Sequence, residues 1–154
     1  MRGEGIEIVR LKPEHADALG RLLKGLSENR DEMWFHPHPL TPEYARVISE
    51  REGKDLYYLA LSKEEAIGYG MLRGWDEGFK VPSLGIAIHP KARGKGLGRT
   101  LMEFLHAAAR EHGAPSVRLK VHEENSQALE LYRSLGYRFE GKEGDQWVCY
   151  FDLP

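Results

Sequence analysis

The sequence is poor in cysteine, in long apolar runs and in net charge, and each shortage removes a class of protein. Cys149 is its one cysteine, which rules out an intramolecular disulfide and any multi-cysteine zinc site. It sits in the strand-like run Gln146-Trp-Val-Cys-Tyr-Phe151 and reads as a small buried hydrophobe. No apolar stretch approaches the ~20 residues a membrane span needs, and the N-terminus lacks the hydrophobic region of a signal peptide. The expected compartment is therefore the cytoplasm. With 22 Lys and Arg against 24 Asp and Glu, the net charge is −2, which gives no general pull toward nucleic acid or an anionic membrane. What remains is 154 residues, 41% hydrophobic and 30% charged: a globular composition of one-domain size. Residues 1–154 are read as a single domain.

Periodicity then places the elements. Gly5-Ile-Glu-Ile-Val-Arg-Leu11 alternates as a first strand. Pro13 opens a helix whose apolar positions Ala16, Leu19, Leu22, Leu23 and Leu26 recur at three and four. Ser27 to Leu40, with Asn29, Pro37 and Pro39, reads as a loop, and Thr41-Pro42 starts a second helix. Leu56 to Ser62 and Ile67 to Trp75 form a hairpin around Lys63-Glu-Glu65. Leu84-Gly-Ile-Ala-Ile88 is a fourth strand. A helix from Gly98 follows, with an apolar stripe at Leu101, Met102, Leu105, Ala108 and Ala109 and a stop at Gly113 and Pro115. Val117, Leu119 and Val121 alternate with Arg118, Lys120 and His122 in a fifth strand. Ser126 to Leu135 is a helix ended by Gly136, and two strands close the chain. The order β-α-α-β-β-β-α-β-α-β-β predicts an α/β fold: a mixed, mostly antiparallel sheet of about seven strands with helices on both faces.

Between the fourth strand and the helix after it lies Ile88-His-Pro-Lys-Ala-Arg93-Gly-Lys-Gly96-Leu-Gly98-Arg99. Glycines let a backbone approach a ligand closely and turn its N–H groups inward, and a helix start adds a positive partial charge. That combination suits a pyrophosphate, with Arg93, Lys95 and Arg99 able to add charge. A Walker loop is excluded, because no Gly-x-x-x-x-Gly-Lys-Ser/Thr string occurs. A dinucleotide fingerprint fails because Arg99 stands where its last glycine belongs. A solvated basic turn is the competing reading.

Two motifs decide between them. Arg93-x-x-Gly96-x-Gly98, after a strand ending in His89-Pro90, resembles the acyl-CoA loop of the GCN5-related N-acetyltransferase (GNAT) superfamily. Asn125-Ser-Gln-Ala128-Leu-Glu-Leu-Tyr132-Arg-Ser-Leu-Gly136-Tyr137 is similar to that family's Asn-x-x-Ala-x-x-x-Tyr-x-x-x-Gly-aromatic segment. The blocks stand in family order, separated by one helix and one strand. They cover Leu84 to Gly141 closely and, through element order, the whole chain loosely. The resemblance implies the acyl-CoA N-acyltransferase fold and acetyl-CoA as cosubstrate, with no metal.

By the same resemblance, Ile86, Ala87 and Ile88 would offer backbone groups to the pantetheine arm. The backbone of Arg93, Gly94, Lys95, Gly96, Leu97 and Gly98, with Arg99, would hold the pyrophosphate. Asn125 would position the cofactor near the thioester, and it is equally a good helix N-cap. Tyr132 would be the catalytic acid that protonates the departing thiolate, since a phenol near pKa 10 can donate to a thiolate. Helical spacing alone groups Tyr132 with Ala128, Leu131 and Leu135 as core.

The general base is not assigned. An amine of pKa 10.4 is free base in about one molecule in 2,000 at pH 7, a deficit of roughly 4–5 kcal/mol. Many family members place a carboxylate on the fourth strand or early on the fifth, yet Val81 to Ile88 contains no acid. Lys120 stands five residues before Asn125, where the branch that acetylates ribosomal-protein N-termini carries Glu. Glu77, His36, His38 and His122 remain candidates. Trp34-Phe-His-Pro-His-Pro39 falls in the loop that helps wall the family's acceptor site, and it reads equally as a Pro-braced packing loop. The resemblance thus predicts acetyl transfer to a primary amine by direct attack without a covalent enzyme intermediate, and the near-neutral overall charge points to a small-molecule acceptor over a protein. The resemblance is compatible with a homodimer and implies no nucleic-acid or membrane partner. A non-catalytic acyl-CoA-binding module and a protein N-terminal or lysine acetyltransferase are the alternatives.

Overall fold

Seven strands form one sheet in the order β1-β2-β3-β4-β5-β7-β6. The computed structural model describes residues 5–31 and 34–154. The elements are β1 (Ile6–Arg10), α1 (Ala16–Glu28), α2 (Pro42–Ser49), β2 (Leu56–Ser62), β3 (Glu65–Arg73) and β4 (Ser83–Ile88). They continue with α3 (Leu97–Glu111), β5 (Ser116–His122), α4 (Ser126–Leu135), β6 (Arg138–Glu143) and β7 (Gln146–Asp152). All neighbours pair antiparallel except β4 and β5. The mixed, mostly antiparallel sheet expected from the element order is the one observed.

Two cores flank the sheet. Leu19, Leu22, Leu23 and Leu26 of α1 and Ala45 and Ile48 of α2 pack on Tyr57, Leu59, Tyr69 and Met71. Leu101, Met102 and Leu105 of α3 and Leu129 and Tyr132 of α4 pack on Leu56, Leu72, Val117, Leu119 and Val121 of the other face. The unbroken apolar run Leu56 to Leu61 follows from this layering, because β2 is covered on both faces and needs no polar alternation. β5 does alternate, and its polar set Arg118, Lys120 and His122 lies on the face that α3 and α4 leave uncovered.

The parallel pair is what opens the site. The β4 and β5 register is confined to Ser83 opposite Arg118, where the Arg118 N–H donates to the Pro82 carbonyl at 3.0 Å. Beyond that point the two strands diverge, and β4 from Leu84 onward faces a cleft where a strand would otherwise pair.

Some boundaries differ from the sequence reading. The hairpin turn is the two residues Lys63 and Glu64, both at positive φ (51° and 71°), so β3 begins at Glu65. Such a turn normally announces itself with Asn-Gly or Asp-Gly, and Lys-Glu gives no such signal. β3 stops at Arg73 and not at Trp75, because Gly74 (φ 127°) breaks the strand and Trp75–Glu77 form a 3-10 turn. Asp55 Oδ1 accepts the Gly74 and Asp76 N–H groups while Asp76 accepts those of Lys54 and Asp55, which knots this corner. A 3-10 turn at Pro13–His15 precedes α1, which runs to Glu28, two residues into the expected loop; Glu32 and Met33 of that loop lie outside the described residues.

One core histidine sets a pH dependence. His106 is 6% exposed, shares a 2.6 Å hydrogen bond with the Tyr137 hydroxyl and stacks on Phe151. Burial, with a smaller contribution from Arg110, lowers its pKa from 6.5 to about 4. Between those values the unfolded chain binds a proton here and the folded chain does not, so stability falls as pH drops across the window. The loss amounts to about 3 kcal/mol at most. Urea midpoints measured from pH 7 to pH 4 are expected to fall less steeply for His106→Gln than for wild type.

Candidate active site

The cleft between β4 and β5 is a cavity of about 360 Å³. Its walls are the open flank of β4 from Leu84 to Ile88, the loop and first turn of α3, Lys120 and Val121 of β5, and Asn125, Ala128, Leu131 and Tyr132 around α4. Asp31, Trp34 and Phe35 close it from the loop after α1.

At its α3 end the backbone forms a cradle. Gly94 and Gly96 have φ of +79° and +84°, and a Cβ on either would meet no atom within 4 Å. The left-handed backbone is therefore the reason for glycine here, and the space above it belongs to the cavity. Gly96 is the N-cap of α3 and has no side chain with which to satisfy the helix's first N–H groups, and the first turn holds no acid. By contrast, Thr41 Oγ1 caps α2 by accepting the Tyr44 N–H, and Asn125 Oδ1 caps α4 by accepting the Ala128 N–H at 3.4 Å. A helix start left with unspent donors, positive partial charge and glycine access suits a pyrophosphate.

The cavity brings together Ile86, Ala87, Ile88, Arg93, Gly94, Gly96, Leu97, Gly98, Asn125 and Tyr132, all read from the sequence as site residues. It does not bring Lys95 or Arg99 to its wall. Lys95 is exposed in the loop, and the Arg99 guanidinium donates to Ser134 Oγ on α4. Arg93 lines the wall, yet its side chain is committed elsewhere. Its Nη2 meets the buried Asp31 carboxylate at 2.8 Å, and its Nε donates to the Ile88 carbonyl at 2.9 Å. Arg93 thus straps the loop after α1 to the end of β4, and its backbone is what remains for a ligand. Asp31 carries no local sequence signal that could have revealed this pairing. Gln127, Val121 and Leu131 are further wall residues not singled out in the sequence.

Tyr132 is 8% exposed; it packs in the core, as helical spacing groups it, and also lines the cavity. Burial raises its pKa, with Cys149 adding to the effect, and the phenol stays protonated. Cys149 is 0% exposed, and burial raises its thiol to about 11, which removes it as a nucleophile at neutral pH.

None of the four candidate bases is available in the cavity. The Pro39 carbonyl makes His38 Nδ1 a donor at 2.9 Å, so its Nε2 accepts from the Tyr69 hydroxyl at 2.8 Å. The Glu124 N–H occupies His122 Nδ1, leaving Nε2–H to meet Asp145 at 3.0 Å. His36 is exposed outside the cavity wall, and Glu77 lies in the 3-10 turn at the far end of the sheet. Asp31, the carboxylate in the wall, is held by Arg93 and by Asn29 Nδ2. His89 also has a structural role, its Nδ1 accepting the Lys91 N–H. Among the described residues, no group of three or more His, Cys, Asp or Glu is placed to hold a metal ion, and no helix is long and apolar enough to cross a membrane.

The model of the acetyltransferase (GNAT) family matches residues 23–137, which span both motifs and the whole cleft. The chain belongs to the GNAT family. A mycothiol acetyltransferase from Thermobifida fusca is 34% identical over 142 residues, 92% of this chain and 40% of that protein. A streptothricin acetyltransferase from Streptomyces lavendulae is 37% identical over 67 residues, 44% of this chain and 34% of that protein. The chain thus spans about two fifths or less of the length of these curated relatives. Among solved structures, the PaiA N-acetyltransferase of Thermoplasma acidophilum, crystallised in complex with coenzyme A, superposes with a TM-score of 0.77 at 19% identity. That match covers 96% of this chain and 98% of the other and shows a shared fold.

Proposed function

We propose that the chain transfers an acetyl group from acetyl-CoA to a primary amine of a small molecule, by direct attack of the amine on the thioester. The observation that carries this reading is the continuous cavity from the glycine cradle of α3, along the open flank of β4, to Tyr132. The cradle fits a pyrophosphate, and the strand flank offers backbone groups to an extended amide-bearing arm. Acetyl-CoA, when bound, supplies an activated acyl thioester. The backbone from Arg93 to Gly98 would hold the phosphates. Ile86, Ala87 and Ile88 would orient the arm and offer N–H groups to polarise the reacting carbonyl. Asn125 fixes the start of α4 and so the position of Tyr132, whose hydroxyl would hand its proton to the leaving sulfur. The mycothiol and streptothricin acetyltransferases named above support a small-molecule acceptor.

With no uncommitted carboxylate or imidazole in the cavity wall among the described residues, the acceptor would arrive already deprotonated. The logarithm of kcat/KM for the amine is then expected to rise with unit slope up to the amine's own pKa. Tyr132, kept protonated by burial, adds no fall up to pH 10. A plateau reached near pH 7 would reveal a base this mechanism lacks. The direct test is release of the coenzyme thiol from acetyl-CoA in the presence of a panel of small amines, with peptide N-termini and lysine peptides alongside. Faster release with small amines is expected; release with peptides alone would replace this acceptor class.

The committed histidines and Asp31 favour one second reading, a non-catalytic acyl-CoA-binding module. It predicts tight acetyl-CoA binding without turnover of any amine.

A further inference from the structure

A second cavity, of about 900 Å³, opens on the α1 and α2 side of the sheet, below the point where β4 and β5 meet. It adjoins the first through two strands. Ser83 lines the second cavity while Leu84 and Gly85 line the first, and Arg118 lines the second while Lys120, two residues along β5 on the same face, lines the first. Two strand residues span about 7 Å, so a small molecule held at Arg118 reaches the cleft along β5.

The chemistry of this second cavity is cationic. Arg51, Arg73, Lys80 and Arg118 stand in its wall against Asp55, Asp76 and Glu77, four positive groups to three negative. The two aspartates already accept backbone N–H groups in the corner knot. Arg73 Nη1 donates to the Pro37 carbonyl at 3.1 Å, a neutral partner that leaves its charge uncompensated. Arg118 shares Glu143 with Lys120, at 3.3 Å and 2.7 Å, and Glu143 lies outside the wall. Tyr57, 5% exposed and outside the wall, has Arg73 acting on its hydroxyl both as a charge and through a side-chain hydrogen bond.

We propose that this cavity anchors the acceptor by a carboxylate: the substrate is a small amine that also bears a carboxylate, gripped by Arg73 and Arg118. The surplus of one positive charge matches a monoanion better than a phosphate, and guanidinium groups match the two oxygens of a carboxylate. This deepens the transferase reading and rests on it, since it names what the amine is attached to.

The test uses matched pairs, the common amino acids and their carboxamides, as acceptors. The acids are expected to exceed the amides at least tenfold in kcat/KM, with the difference mainly in KM. Arg118→Gln and Arg73→Gln should each shrink that ratio to within about threefold while the KM for acetyl-CoA stays the same, and Arg118→Lys should restore part of it. Equal use of acids and amides, or a ratio that survives both glutamine variants, would overturn the proposal. Calorimetric titration of the coenzyme A-saturated protein with N-acetyl amino acids and their amides reads the cavity without catalysis. Tighter binding of the acids upholds the carboxylate site even if no amine turns over, an outcome that would sink the transferase reading alone. Equal binding overturns the carboxylate site, and tighter binding of the matching aminophosphonates than of the acids replaces the carboxylate with a phosphate-like group.

Discussion

Replacing Gly96 with Glu is expected to weaken acetyl-CoA binding at least 100-fold while leaving the protein folded. Gly96 sits at φ +84° with nothing within 4 Å of where a Cβ would stand, so the substitution meets no clash. Its cost to folding is the left-handed backbone alone, about 1–2 kcal/mol, which lowers Tm by only a few degrees in a chain of this size. The side chain would project into the cradle at the start of α3, placing bulk and a negative charge where phosphates would sit. Losing two charge-assisted hydrogen bonds is worth roughly 3–6 kcal/mol, and 100-fold corresponds to about 2.7 kcal/mol. Gly96→Ala carries the same backbone strain without the charge and should lose far less affinity. If both variants bind acetyl-CoA as wild type does, the cradle is not the phosphate site.

Tyr132→Phe is expected to lower kcat by about 100-fold or more, within the usual range for a positioned acid, with little change in acetyl-CoA affinity. The ring keeps its packing beside Tyr137 and only the hydroxyl is lost, so the variant should unfold close to wild type. A structural role alone would show the reverse, a shifted urea midpoint with kcat intact. The pH profile separates the two further. In wild type the buried phenol donates throughout the accessible range, whereas in the variant the leaving thiolate must take its proton from water or depart unprotonated. The variant should therefore be least impaired with acyl donors whose thiols are more acidic than coenzyme A.

What could be read from sequence follows how local each signal is. The α3 stripe from Leu101 to Ala109, the Thr41-Pro42 start of α2 and the glycines before α3 each announce themselves within a few residues. The two motif blocks placed Gly94, Gly96, Gly98, Asn125 and Tyr132 around what proves to be one cavity. The Arg93–Asp31 strap joins residues 62 apart, one of them a lone acid in an irregular loop, and no pattern links them. As a result Arg93 reads from sequence as a phosphate ligand, and the structure commits its guanidinium to a carboxylate. Committed histidines were equally hidden: His122 reads as a free imidazole until the Glu124 N–H and Asp145 are placed beside it. The second cavity is the clearest case, since Arg73, Ser83, Arg118 and Tyr150 come from β3, β4, β5 and β7 and meet only through sheet register.

The measurement closest to the central claim is a calorimetric titration of the wild-type protein with acetyl-CoA. Binding of one molecule per chain, weakened strongly when the pyrophosphate-bearing half is removed and acetyl pantetheine is used instead, is the predicted result. No binding of acetyl-CoA or of longer acyl-CoAs would contradict it, and would leave this chain with the family's fold but without its chemistry.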